Sequence, residues 1–483
     1  MNGETQREPL FSSRFGMILT CMGMAVGTGN IWRFPREVAG NGGGSFLIPW
    51  IIFLFLWSIP LLMVELAMGK NTRRGPFGAF AKLLGDHMAP LGGFISICAM
   101  LIMCYYAVVT GWTFRYVVYA FAGTLNSVSE SQAIALFDGF RSTWLALGFH
   151  WLAVAVAALV VFKGTRGIER LNKILIPMLI AILLIGAVRS LMLVGSGDGL
   201  DYLFTVEWER LAKPSHWLAG LTQSAWSTGA GWGLMLAYAV YARREDNTMV
   251  TPVATGLGNN SIEIIVALLI FPALFSIMGL GAVDYVSGSS SKGGIAFQIV
   301  PLLFQKIPGG GFFNILFFIG LASAALTSLI AMMELSCRFF MDFRMTRKKA
   351  LVFTLLLCLV LGSLSALSDK IFDDQDFVWG VGLMISGLFL AVAVFQFGAR
   401  DFYRRLIAPG SGGGRWFQIA MGLVLVEGSV LLGWWFYKGM NLYFKISSLI
   451  QWWLVIGVLF LLRRKLCRRM AGPDGDRETV TDG

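Results

Sequence analysis

Histidine, cysteine and charge are all scarce in this chain, and each scarcity closes off a class of function. The three histidines (His87, His150 and His216) are scattered, and no Cys/His cluster has metal-ligand spacing. The six cysteines, at 21, 98, 104, 337, 358 and 467, fall in or beside apolar runs. They read as small packing residues, not as a disulfide or metal framework. No Walker or nucleotide-binding signature occurs. An enzyme would need a constellation that is missing, so no cofactor is expected and any uphill work must draw on an ion gradient. The first eight residues are polar, with Glu4, Arg7 and Glu8, and no small-residue cleavage site follows a short apolar core, so no signal peptide is expected.

What is present is apolar length. Of 483 residues 56% are hydrophobic and 14% charged, with a mean hydropathy of +0.69. Runs such as 46–63, 144–161, 174–193, 264–279 and 351–367 approach the ~20 residues that cross a ~30 Å hydrocarbon core. Twelve such segments, centred near 25, 55, 105, 153, 183, 229, 268, 325, 358, 388, 426 and 456, predict one all-α integral membrane domain. The net charge of +11 suggests nucleic acid until its placement is read. Basic residues cluster in alternate loops, among them Lys70/Arg73/Arg74, Lys163/Arg166/Arg170/Lys173 and Arg463/Arg464/Lys465. The intervening loops, as in "SDKIFDDQD", are acidic or nearly neutral. That is the positive-inside bias, and it predicts a multi-pass protein of the plasma (inner) membrane with both termini cytoplasmic.

Two of the twelve segments are poor helices. "GMAVGTGNIWRFP" (23–35) holds three glycines, an asparagine, an arginine and a proline at membrane depth. "QSAWSTGAGWGLMLAYAVY" (223–241) repeats the oddity with Gly229, Gly231 and Gly233 beside Ser227 and Thr228. Each glycine weakens a helix by roughly 0.8–1.0 kcal/mol relative to alanine. Glycines of this kind also serve close helix packing. Two matched clusters, in span one and span six, bordered by hydroxyls and Asn30, favour paired breaks instead, the sequence pointer to a transporter binding site. Unwound carbonyls suit a cation, and half-helix N–H groups suit a carboxylate.

These residues also carry a resemblance. "AVGTGNIWRFP" with "NGGGSFLIPW", the "YY" at 105–106, "GIERLNKILIP" at 167–177, the sixth span and "AALTSLIAMM" at 324–333 are similar, in order, to the neurotransmitter:sodium symporters (solute carrier 6), over about residues 7–400. That family is itself a type case of inverted repeats with broken helices. The resemblance implies twelve transmembrane helices with a 5+5 inverted repeat, helices 1–5 over about 11–195 and helices 6–10 over about 216–400. Helices 11 and 12 follow at about 415–466, and the tail 470–483 is expected to be disordered.

The resemblance further implies two Na⁺ sites. The first uses the Ala25 carbonyl, Asn30, Ser227, Asn259 and the substrate carboxylate; the second uses carbonyls of Gly23, Val26 and Ala324 with the hydroxyls of Thr327 and Ser328, an oxygen shell fit for a hard cation. The substrate carboxylate meets Thr28, Gly29 and Tyr106. Relatives that carry amines place an aspartate where this chain has Gly27, so the implied cargo brings its own carboxylate and is an amino acid. Met24, Ile102, Trp226, Gly229, Trp232 and Met332 wall the side-chain space. They suggest a small or medium neutral amino acid, with a larger aliphatic or aromatic one as the alternative. Arg33 and Asp376 are the implied outer gate, with Trp226 as lid. Arg7 and Asp342 are the implied inner gate, although Arg7 stands four residues before Phe11 where relatives have an Arg, two residues and a Trp. Glu263, where chloride-dependent relatives have a serine, would balance the cation charge and make transport chloride-independent. Glu65, Glu334 and Glu427 are expected to be structural hydrogen-bonding acids. The other readings are an ion channel and a non-transporting solute sensor; no repeated filter or charge ring supports the channel.

Overall fold

The computed structural model describes residues 10–281, 283, 295–306, 308–411, 414–439 and 441–471, and no β-strand occurs among them. Among the described residues ten helices are long and apolar enough to cross a membrane. They are α2 (Gly44–Thr72), α3 (Ala89–Phe121), α4 (Trp144–Phe162), α5 (Gly164–Leu191), α7 (Val250–Met278), α8 (Gly310–Asp342), α9 (Arg347–Leu367), α10 (Asp369–Phe397), α11 (Arg415–Tyr437) and α12 (Leu442–Ala471). The remaining two spans are interrupted. α1 consists of Arg14–Ala25 and Thr28–Gly40, bent by 55° at the break. α6 consists of Pro214–Ser227 and Leu234–Ala239. With α1 taken as one bent span the count is eleven among the described residues; α6, in two short pieces, stands where the twelfth span is expected, and both interruptions fall at the glycine clusters. Arg7 and residues 472–483 of the expected disordered tail lie outside the described residues.

Backbone groups in lipid must be paired within the segment, so the apolar spans have no option but helix. Their burial then sorts them. α3 and α8, each the third helix of its half, are buried over 83% and 78% of their apolar windows, whereas α12 is buried over only 17% of its own. α3 and α8 pack against each other and form the centre, while α12 presents Leu454 and Leu461 outward. The first half of α1 lies against α5, α7 and α8. α2 carries a π-helical turn, Leu54–Ser58, whose last residue, Ser58, donates to the Ser224 carbonyl of α6 (3.0 Å). Such turns recur where a helix serves a functional site.

Candidate substrate and ion site

The break in α1 is short. Val26 and Gly27 are both extended, and the second half restarts at Thr28. The Gly27 N–H donates to Asn30 Oδ1 at 2.9 Å, Asn30 Nδ2 donates to Asn259 Oδ1 at 2.8 Å, and Asn259 Nδ2 donates to Ser227 Oγ at 3.1 Å. Three of the four residues expected at the first cation site thus form one buried chain linking α1, α7 and α6. Of the adjacent asparagines on α7 it is Asn259 that joins this chain. Asn260 only accepts from its neighbour, at 3.3 Å. Above it, the Tyr106 hydroxyl of α3 accepts from Thr28 N at 3.2 Å and lies 3.3 Å from Thr28 Oγ1. A Cβ on Gly27 would stand 3.0 Å from both Tyr106 OH and Ser328 Oγ. Any side chain at this position therefore pushes on those hydroxyls.

Residues expected at the second cation site also converge. Ser328 Oγ lies 3.4 Å from the Gly23 carbonyl and 3.3 Å from that of Val26. Thr327 Oγ1 donates to the Ala324 carbonyl at 3.1 Å. The result is an all-oxygen cluster between α1 and α8, suited to a hard cation. Among the described residues no group of three or more His, Cys, Asp or Glu side chains is placed to hold a metal. Any cation here is held by carbonyls, amides and hydroxyls.

The break in α6 is longer and held differently. Gly229, Gly231 and Gly233 have φ of 69°, 89° and 77°, left-handed values that only glycine adopts without strain. Glu65 of α2 accepts from the N–H groups of Gly231 (2.8 Å), Met235 (3.0 Å) and Leu236 (3.3 Å). It is the N-terminal cap of the restarted helix, supplied from another span. The sequence shows the isolated carboxylate but not its partners, which lie some 170 positions away.

Glu263 is fully buried one turn after Asn259 and accepts from Trp50 Nε1 (2.9 Å) and Gln223 Nε2 (2.6 Å). Nothing local in the sequence marks Trp50 or Gln223 as a partner of this acid. Gln223 sits one turn before Ser227, so the acid is tied to both helices of the first cation site. Glu334 is likewise engaged, pairing with Arg347 at 2.5 Å and accepting from Tyr241 OH. Glu427 departs from expectation, because its Oε2 is buried without a hydrogen-bond partner among the described residues.

A cavity of about 630 Å³ opens from the α1 break. Met24, Ile102, Tyr106, Gly229, Trp232 and Met332 line it near the break, and Arg33, Glu37, Asp376 and Trp435 line it further out. Trp226 and Trp232 meet edge to face at 6.0 Å, and the Arg33 guanidinium lies over the Trp226 ring at 4.8 Å. The expected Arg33–Asp376 pair is not what forms. Among the described residues the acid within ion-pair distance of Arg33 is Glu37, at 3.8 Å. Glu37 is four residues on, hence on the same helix face, whereas Asp376 borders the same cavity from α10. The other end of the bundle is closed. Phe11 is buried, its N–H donates to the Tyr241 carbonyl at 3.1 Å, and its ring packs edge-on against Tyr238 and Tyr241. Asp342 accepts from the N–H groups of Gly75 (2.8 Å) and Gly78 (3.0 Å), so it caps the short helix Pro76–Leu84.

A bundle of apolar spans in which two interrupted helices meet at one central polar site is the architecture of a membrane transporter. The chain belongs to the sodium:neurotransmitter symporter family, matching that family over residues 7–134 and 140–461. It is 30% identical over 411 residues to an uncharacterised sodium-dependent transporter of Methanocaldococcus jannaschii, across 80% of this chain and 82% of the relative. It is 28% identical over 299 residues to the sodium-dependent neutral amino acid transporter B(0)AT2 of Rattus norvegicus, across 55% of this chain and 40% of that one. Its fold is similar to the crystal structure of MhsT in complex with L-phenylalanine, with a TM-score of 0.78 and 29% identity over 92% of this chain and 100% of that one. Family membership makes this protein a sodium-dependent transporter, not an enzyme.

Proposed function

We propose that this protein couples Na⁺ entry to uptake of a neutral amino acid, using two Na⁺ sites and no chloride. The observation that carries the reading is the α1 break itself. Gly27 brings no carboxylate, the Tyr106 hydroxyl faces the Thr28 N–H, and the Asn30–Asn259–Ser227 chain lies directly beneath. A substrate carboxylate seated there completes the first cation site, so ion and cargo tighten each other reciprocally. The second Na⁺ binds the oxygen cluster of Gly23, Val26, Ala324, Thr327 and Ser328. Two Na⁺ and a zwitterion sum to +2, and the ionised Glu263 lowers this to +1. At 5–6 Å and an effective dielectric of ~20 one such attraction is on the order of 3 kcal/mol. Glu263→Ser is expected to make uptake require chloride; unchanged anion independence counts against the charge role.

The basic-loop bias supports cytoplasmic termini, which makes the sealed Phe11 end internal and the open cavity external. Arg33 and Trp226 then form the outer closure with Asp376 across the cavity. Spans 1, 2, 6 and 7 rock against the rest, which requires Phe11 to leave Tyr241. Side-chain size is the finer question. A Cβ on Gly229 would have no heavy atom nearer than 3.8 Å, that of Met24 Cε. A cavity of about 630 Å³ with Gly229 on its wall, together with the L-phenylalanine held by MhsT, supports the larger hydrophobic cargo over the small one. Labelled amino acid uptake into proteoliposomes tests the whole reading. Accumulation should require an imposed Na⁺ gradient and be displaced better by aromatic and large aliphatic amino acids than by glycine or alanine. Na⁺-independent uptake, or no saturable uptake with Na⁺ current, would overturn it.

A further inference from the structure

The first half of α1 presses two glycines, two helical turns apart, onto α5. A Cβ at Gly16 would lie 1.8 Å from Glu169 Oε1, and one at Gly23 would lie 1.9 Å from Asn172 Oδ1. Glu169 is fully engaged. It accepts from Ser12 N at 2.8 Å and Ser12 Oγ at 2.5 Å, and pairs with Lys173 at 2.8 Å. Asn172 is different. Its side chain is fully buried, and Nδ2 donates back to the Ile168 carbonyl of its own helix at 2.9 Å. Its Oδ1 is buried and has no hydrogen-bond partner among the described residues. Buried amide oxygens are nearly always paired, so an orphan aimed at another helix asks for a missing group.

The surroundings say which group. The Cβ position on Gly23 that Asn172 Oδ1 occupies also lies 3.2 Å from Thr327 Cβ. Asn172 therefore meets α1 at Gly23 on the side that Thr327 shares. The hydroxyls there are turned elsewhere, Thr327 toward the Ala324 carbonyl and Ser328 toward carbonyls of α1. Hydrogen-bond donors are already spent and oxygens accumulate, which is the environment a hard cation satisfies.

We infer that Asn172 belongs to the second Na⁺ site, its amide oxygen entering the ion's shell from α5 alongside Gly23, Val26, Ala324, Thr327 and Ser328. The inference rests on the reading of that oxygen cluster as a Na⁺ site. It has a mechanical consequence. An ion bound there ties the first half of α1 to α5 as well as to α8, so that half swings free only once the ion has gone.

The test is the Na⁺ dependence of amino acid uptake and ²²Na⁺ binding by the full chain in proteoliposomes, comparing parent, Asn172→Ala, Asn172→Asp and Thr327→Ala. Asn172→Ala should raise the half-saturating Na⁺ concentration about tenfold, as loss of a supporting ligand does. The substrate concentration for half-maximal uptake at saturating Na⁺ should stay unchanged. Asn172→Asp, which keeps an oxygen and adds charge, should lower the Na⁺ requirement below the parent value. A purely structural asparagine gives the opposite pattern, with less folded protein and an unaltered Na⁺ requirement in both variants, and that overturns the inference. If Asn172→Ala does not fold, Asn172→Asp decides: a lowered Na⁺ requirement supports it and an unchanged or raised one defeats it. Thr327→Ala separates the two claims. Should it leave Na⁺ dependence intact, the site reading itself fails. Should it raise the requirement while both Asn172 variants match the parent, only the role of Asn172 fails.

Discussion

At Val26–Gly27 the chain leaves the helix for two residues, both with negative φ. At 228–233 it leaves for six and passes three times through positive φ. The glycines look alike in sequence and serve different ends. Gly27 has an ordinary extended backbone and is glycine for room, because Tyr106 and Ser328 stand 3.0 Å from its missing Cβ. Gly229, Gly231 and Gly233 are glycine for handedness. The supports differ as well. The first break is held by Asn30 from the same helix and by the Tyr106 hydroxyl of α3. The second is held by Glu65, a carboxylate of α2 directed at three backbone amides. One break is thus short and bordered by hydroxyls and carboxamides, the other long and anchored by a carboxylate. Substitutions should damage function at the first and folding at the second.

The largest effect is expected at the anchor. Glu65→Ala leaves the amides of Gly231, Met235 and Leu236 without their acceptor in a region where water cannot replace it. At roughly 1–3 kcal/mol for each buried unpaired group the loss is several kcal/mol. The purified protein should unfold at a markedly lower temperature in detergent and show no uptake. A variant as thermostable as the parent would remove the distinction between the two breaks.

Next come the glycines of the second break, which differ from each other. Gly231→Ala meets both a left-handed backbone (φ 89°) and the Gly387 Cα at 3.0 Å, and backbone cannot retreat as a side chain can. Gly229→Ala meets only the handedness cost, about 1–2 kcal/mol. Thermal unfolding should therefore rank Gly231→Ala below Gly229→Ala, and Gly229→Ala below the parent. Equal stability of the two variants would show that the approach of α10 does not matter.

The smallest change in stability is expected at Gly27→Ala, where the extended backbone suits any residue and the neighbours are hydroxyl tips that can yield. Its uptake should nevertheless fall by at least about tenfold, the equivalent of about 1.4 kcal/mol, because Tyr106 is displaced from Thr28. Full activity with lowered thermal stability would reverse the comparison.

The legible parts of this protein are those where information is local. Each span is a run of apolar residues, each break a cluster of glycines, and the candidate ligands on α1 and α8 lie within one or two turns of one another. The Arg33–Glu37 pair was legible too, through its four-residue spacing, but a more distant partner at Asp376 was expected instead. What stayed hidden depended on side chains meeting across the bundle. Glu65 and Glu263 were visible as misplaced acids whose amide, indole and carboxamide partners were not. Asn172 read as an unremarkable residue within "GIERLNKILIP", because only the packing of Gly23 against it reveals an oxygen with nothing to bond.

By itself the sequence determined that this chain lies in a membrane, crosses it many times and breaks its helix in two places, since a bilayer judges each segment by its own hydropathy and backbone pairing. The tertiary structure alone decided which acid caps which helix and which buried oxygens face one another. Those outcomes depend on distances between helices that are far apart in the chain, and no local property of the sequence sets them.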